Sequence, residues 1–157
     1  MEYRRLDADD IDALVDELWL TFSMEMAELD SYNELGDDVR DHAIEYRQAN
    51  LDDPDTATFV AERDDDLIGY TVVTYSESPP VFARGPSANI EEVYVSPTHR
   101  GEGIANALMD RAESWAQARE CSYVQLSVNE RNETARAVYR SRGYGVRRFK
   151  MDKRLDS

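Results

Sequence analysis

Early in the chain the apolar positions Ile11, Leu14, Val15, Leu18, Trp19 and Phe22 recur at intervals of three and four, the spacing of one face of a helix. Ahead of them Glu2 to Leu6 reads as a first strand, and Asp9 or Asp10 supplies the helix cap. A second helix is predicted from about Asp38 to Asn50. The period then falls to two: Thr56 to Glu62 and Leu67 to Tyr75 alternate as strands, and the acidic turn Asp64-Asp65-Asp66 between them predicts an antiparallel hairpin. Ser76 to Ser87 reads as a loop, because Ser78-Pro79-Pro80 and Arg84-Gly85-Pro86 interrupt regular structure. The full predicted order is strand, helix, helix, three strands, helix, strand, helix and a final strand.

The change of period at Val93 carries the chemistry. Val93 and Val95 flank Tyr94 as a strand requires, Pro97 ends that strand, and Ile104, Leu108, Ala112, Trp115 and Ala116 resume helical spacing. Gly101 and Gly103 therefore sit at a strand-to-helix junction. Glycines there let backbone approach a ligand, and the first amides of the helix, with its dipole, favour an anion such as a pyrophosphate. A Walker-type loop is excluded, since the only lysines, Lys150 and Lys153, lie far from the glycines. The dinucleotide pattern Gly-x-Gly-x-x-Gly is half met, with Asn106 where the third glycine belongs.

What fits is Arg-x-x-Gly-x-Ala, spelled Arg100-Gly101-Glu102-Gly103-Ile104-Ala105. Here the chain resembles the GCN5-related N-acetyltransferase (GNAT) superfamily. Two further stretches carry the resemblance. Tyr123 to Val128 is similar to the family's next strand, and Asn132-Glu133-Thr134-Ala135-Arg136-Ala137-Val138-Tyr139, followed by Arg142-Gly143-Tyr144, is similar to its Asn-x-x-Ala-x-x-x-Tyr helix and Gly-aromatic turn. Together they span roughly residues 88 to 145. The resemblance implies an α/β (α+β) fold with a mixed, mostly antiparallel central sheet and helices on both faces, in one domain covering residues 1–157.

It also implies a reaction: transfer of acetyl from acetyl-CoA to a primary amine, which attacks the thioester directly in a ternary complex. Arg100, Gly101, Glu102, Gly103, Ile104 and Ala105 would hold the pyrophosphate, Val93, Tyr94 and Val95 the pantetheine arm, and Asn132 would cap the last helix near it. Tyr139 is the expected acid for the departing thiolate, and Glu91 or Glu92 the expected base, with Glu91 ranked first. Strand alternation places these two carboxylates on opposite faces. A glutamate that other relatives carry on the following strand is replaced by Ser127, which leaves ordered water as a third candidate base. A non-catalytic acyl-CoA sensor is the alternative reading.

The acceptor side is less defined. A small amine or polyamine is favoured over a peptide amine, with the 76–87 loop as one place for selection and Glu25, Glu28, Asp30, Glu34, Trp19, Tyr32 and Tyr46 as residues that would either line a cationic pocket or stand in solvent. His42 and His99 read as surface or capping residues.

Composition narrows the partners. With 33 acidic and 18 basic residues the formal charge is -15, which argues against nucleic acid and agrees with solubility in concentrated salt. No membrane span is expected, and Met1-Glu2-Tyr3-Arg4-Arg5 leads into an acidic helix rather than an apolar signal core, so the expected location is cytoplasmic. Cys121 stands alone, and no spacing suggests a metal site. Arg140, Arg142, Arg147, Arg148, Lys150, Lys153 and Arg154 form the one concentrated basic stretch, available for charge neutralisation, CoA phosphates or a homodimer contact.

Overall fold

The computed structural model describes residues 1–156, which fall into two units, residues 1–127 and the segment from Val128 on. The first unit is built on five strands in sequential order: β1 (Glu2–Arg5), β2 (Thr56–Arg63), β3 (Asp66–Ser76), β4 (Ser87–Val95) and β5 (Tyr123–Leu126). The first four pair antiparallel, and β5 joins β4 in parallel. The β2–β3 hairpin closes as its aspartates predict. Asp64 and Asp65 both take positive φ, 52° and 67°, in the two-residue turn that matches the twist of paired strands.

The first helix follows a 3-10 turn at Ala8–Asp10 and runs through α1 (Ile11–Ala13), a π-helical stretch (Leu14–Trp19) and α2 (Leu20–Leu29). Asp10, one of the two predicted caps, is the N-cap of α1, and Asp7 caps the 3-10 turn ahead of it; the Asp10 carboxylate accepts from the Asp7 amide at 2.8 Å and from Arg4 at 2.7 Å. The predicted stripe holds, with Leu14, Val15 and Leu18 at most 1% exposed and Trp19 and Phe22 packed at the border of the same cluster. The second predicted helix is α3 (Val39–Asp52).

These helices cover one face of the sheet, where Val60, Tyr70, Val72 and Tyr94 join the cluster of Leu14, Val15 and Leu18. Helix α4 (Ile104–Ala118) covers the other with Ile104, Leu108, Met109, Ala112 and Ala116. Gly69 permits its close approach. A Cβ there would lie 2.9 Å from the Tyr94 carbonyl oxygen and 3.2 Å from Leu108 Cδ1, so the small residue needed under this helix is supplied by β3 and not by the position of Asn106.

The second unit contains α5 (Glu133–Ser141), capped by Asn132, whose side chain accepts from the Ala135 amide at 3.2 Å. The predicted final strand is absent: residues 145–156 carry no regular structure, and Val146, Phe149, Met151 and Leu155 are exposed. A strand requires a ladder partner. No described helix is long and apolar enough to cross a membrane.

Candidate active site

Strand β4 organises the site because one extra residue divides it. Val72 pairs with Glu92 and Val73 with Ile90, which leaves Glu91 as a bulge. Pairing with β5 stops at the same place, the last partners being Ile90 and Leu126. Beyond it, one edge of β4 has no strand beside it among the described residues.

The ladder determines what that edge presents. The Ser96 amide donates to the Ile68 carbonyl at 2.8 Å, and Gly69 stands opposite Val95. Bonded and non-bonded pairs alternate along an antiparallel ladder, so Tyr94 and Glu92 turn their amides and carbonyls toward β3, whereas Val93 and Val95 turn theirs to the open edge. The Val95 carbonyl accepts from Arg100 Nε at 3.1 Å.

A 3-10 turn, Pro97–His99, leads from this edge to the glycines. Gly101 and Gly103 adopt positive φ, 84° and 80°, with nothing within 4 Å of the space a Cβ would occupy. Gly103 caps α4 with backbone alone, and the first helical bond runs from the Ala107 amide to the Gly103 carbonyl at 3.1 Å. The amides of Ile104 and Ala105 precede that bond, as an anion site requires. An open strand edge followed by an open glycine turn on a helix N-terminus fits the pantetheine arm and pyrophosphate of CoA. Glu102 would oppose the phosphates, but Arg63 reaches its carboxylate at 3.1 Å. The Ile104 side chain is buried in the core and Ala105 is half-buried, so backbone is what they offer.

On the opposite face the same strand presents side chains. Tyr94 stacks on Phe22 at 4.9 Å and donates its hydroxyl to Glu25 at 3.2 Å, while the Arg100 guanidinium meets Glu25 at 3.1 Å. Burial, and then the nearby Glu25 charge, raise the Tyr94 phenol above its ordinary range. Arg100 is thus shared between β4 and α2. Glu92 accepts two bonds from Arg47, at 2.7 and 2.8 Å, and a third from the Tyr70 hydroxyl at 2.7 Å. The Arg47 side chain is 2% exposed; burial is the largest influence and works against its charge, and the hydrogen bond and charge of Glu92, together with Tyr70 and Tyr46, outweigh it and raise its pKa. Burial also pushes the Tyr70 phenol well up.

Above this pair lies a cleft of about 490 Å³ lined by Trp19, Leu35, Val39, Ala43, Tyr46 and Glu92, with Asp37, His42 and Arg47 also at its wall. Of the residues proposed from sequence for the acceptor side, Trp19 and Tyr46 meet there. Glu25 belongs to the Tyr94–Arg100 network, Asp30 caps a 3-10 turn through the Tyr32 amide, and Tyr32 is 78% exposed. Arg47, Tyr70 and His42 were not singled out as site residues; the arginine on an amphipathic helix carries no sequence signal until Glu92 is seen opposite it. Glu91 is exposed and accepts from the Thr74 hydroxyl at 3.0 Å. His99 is half-buried in the 3-10 turn.

In the second unit Tyr139 is half-buried, edge-on to Tyr144 with ring centroids 6.2 Å apart, and burial raises its phenol pKa. Among the described residues no group of three or more His, Cys, Asp or Glu side chains could hold a metal ion.

The mixed sheet with helices on both faces and its strand–turn–helix junction define an α/β class. Comparison is more specific: the acetyltransferase (GNAT) family matches residues 11–144, and the chain belongs to that family. An uncharacterized N-acetyltransferase of Archaeoglobus fulgidus is 32% identical over 145 residues, 90% of each chain. The streptothricin acetyltransferase of Streptomyces lavendulae is 37% identical over 97 residues, 61% of this chain and 48% of that one, so the chain spans about half of that relative. The crystal structure of a predicted acetyltransferase with acetyl-CoA from Clostridium acetobutylicum shares the fold, with a TM-score of 0.76 over 98% of this chain and 96% of that one at 23% identity.

Proposed function

We propose that this chain is an acetyl-CoA-dependent N-acetyltransferase acting on a primary amine in a ternary complex. The observation that carries the reading is the continuity of the open β4 edge at Val93 with the positive-φ glycine turn ahead of α4. In the reaction the amine nitrogen bonds to the acetyl carbonyl carbon, the carbon–sulfur bond breaks, the nitrogen loses a proton and the thiolate gains one.

Tyr139 is assigned as the proton donor to sulfur; its raised pKa keeps the phenol protonated through the neutral range. Glu92 is assigned a positioning role, since its lone pairs are committed to Arg47 and Tyr70. Glu91, exposed on the bulge where β4 and β5 part, is assigned as the base acting through water. The net charge of -15 with only two lysines supports a soluble, cytoplasmic protein working in concentrated salt without nucleic acid.

Calorimetric titration with acetyl-CoA, with NAD as control, and a thiol-release assay test this reading in multimolar and dilute potassium chloride. Saturable binding of acetyl-CoA alone is expected, and Tyr139→Phe should lower kcat by roughly 100-fold while leaving acetyl-CoA affinity unchanged. Equal affinity for acetyl-CoA and CoA with no thiol release on any amine would leave a sensor instead. No binding to folded protein would remove both.

A further inference from the structure

The cleft above Glu92 contains information about the acceptor that the motifs do not. Its wall is mainly apolar and aromatic: Trp19 from the π-helical stretch, Leu35 from the connection to α3, and Val39, Ala43 and Tyr46 from one side of α3. A sequence with 33 carboxylates would be expected to put several of them in a pocket meant for a polycation. It does not do so here. Glu92 is the acid of the floor, and it is held by both terminal nitrogens of Arg47 and by Tyr70, all within 2.8 Å. A carboxylate bound in that way is neutralised by the guanidinium beside it and keeps little accepting capacity for a second ammonium.

Arg47 also bars multiple positive charge, since a further cation brought to the floor would meet a fixed guanidinium in a poorly hydrated place. One face of Tyr46 is already occupied by that guanidinium, whose carbon lies 5.1 Å from the ring centroid. Trp19, half-buried at the core border, is left as the aromatic surface for a ligand. Asp37 and His42 are the remaining polar residues of the wall, and both are exposed. A volume of about 490 Å³ is ample for a ring or short chain bearing one amine.

We infer that the acceptor is an apolar primary monoamine, its aromatic or aliphatic body lying on Trp19, Leu35 and Val39 and its single nitrogen directed toward the β4 edge. This rests on the acetyl-transfer reading for the reaction, but the ligand class is read from the cleft alone. Binding of such a body removes apolar surface from water on both sides, and a polyamine of equal length forfeits that gain while desolvating charge.

The test uses 2-phenylethylamine against spermidine. Because the chain has two tryptophans, Trp115→Phe leaves Trp19 as the sole indole and lets the cleft report occupancy without turnover. Saturable change of Trp19 fluorescence with phenylethylamine and none with spermidine is expected. In thiol release, kcat/KM for phenylethylamine should exceed that for spermidine by at least about tenfold, and Trp19→Ala should raise KM for phenylethylamine about tenfold with acetyl-CoA affinity unchanged. Preference for spermidine, or indifference of KM to Trp19→Ala, overturns the ligand class even with acetyl transfer intact. Phenylethylamine binding without thiol release on any amine supports the ligand class and overturns the reaction.

Discussion

The two sides of β4 are built differently. The edge that meets the glycine turn is backbone: Val93, Gly101, Gly103 and the start of α4 at Ile104 lie within a dozen residues and need no distant partner. The opposite face is side chain, and its contacts join Arg47 to Glu92, Glu25 to Tyr94 and Glu25 to Arg100, pairs separated by 45, 69 and 75 residues. The first is written in local conformational preference, the second in tertiary packing. Only the first survives as a pattern along a single sequence.

The sharpest way to break the comparison is to remove one member of the long-range set. Arg47→Met strands the Glu92 carboxylate, which is 15% exposed, and should lower unfolding free energy by about 3–5 kcal/mol in urea titration. Arg47→Met with Glu92→Leu should recover most of that, because a buried ion pair replaced whole by apolar groups costs little. A single variant as stable as the parent would mean the pair contributes nothing.

The local set responds less in stability and more in binding. Gly69→Ala drives a Cβ against the Tyr94 carbonyl and Leu108, and is expected to cost about 1–3 kcal/mol by overpacking. Gly103→Ala places a side chain at φ 80° and should cost roughly 1–2 kcal/mol, with a weaker acetyl-CoA titration as its main signature and amine binding at Trp19 retained. Equal acetyl-CoA affinity in the two variants would erase the distinction between a packing glycine and a cradle glycine.

The smallest effect is a function of pH. The hydrogen bond from Arg4 holds the Asp10 carboxyl below the ordinary carboxylate range. Its folded pKa is therefore under its unfolded value of about 4, so the pair stabilises above that value and the contribution is lost as pH falls through the folded one. Asp10→Asn should flatten part of the acid limb of the urea midpoint and change stability near neutrality by about 1 kcal/mol or less.

Much of the fold was legible for the reason the cradle was. The Ile11–Phe22 stripe, the paired strands and the aspartate turn are short-range patterns, and the structure places them within a residue or two. The helix start at Asp10 was legible too, whereas the Arg4 contact to its carboxylate was not. The final strand misled because residues 146–155 have no hydrogen-bonding neighbour in the structure and carry no regular period of their own. In the site, alternation predicted Glu91 and Glu92 on opposite faces, but the bulge interrupts that alternation: Ile90 pairs with Val73 and Glu92 with Val72, and Glu91 accepts from Thr74, a register against β3 that the pattern does not carry, as it does not carry where α3 lands.

The bulge has a consequence in genetic terms. Since Val72 and Val73 already face Glu92 and Ile90, an in-frame loss of codon 91 would leave every other side chain of β4 on its present face and the core composition untouched. What would go is the bend that coincides with the parting of β4 from β5. A single triplet thus stands between a sheet that zips shut and one that leaves a slot, and any recombination with a relative lacking that triplet must cross over outside it to keep the slot.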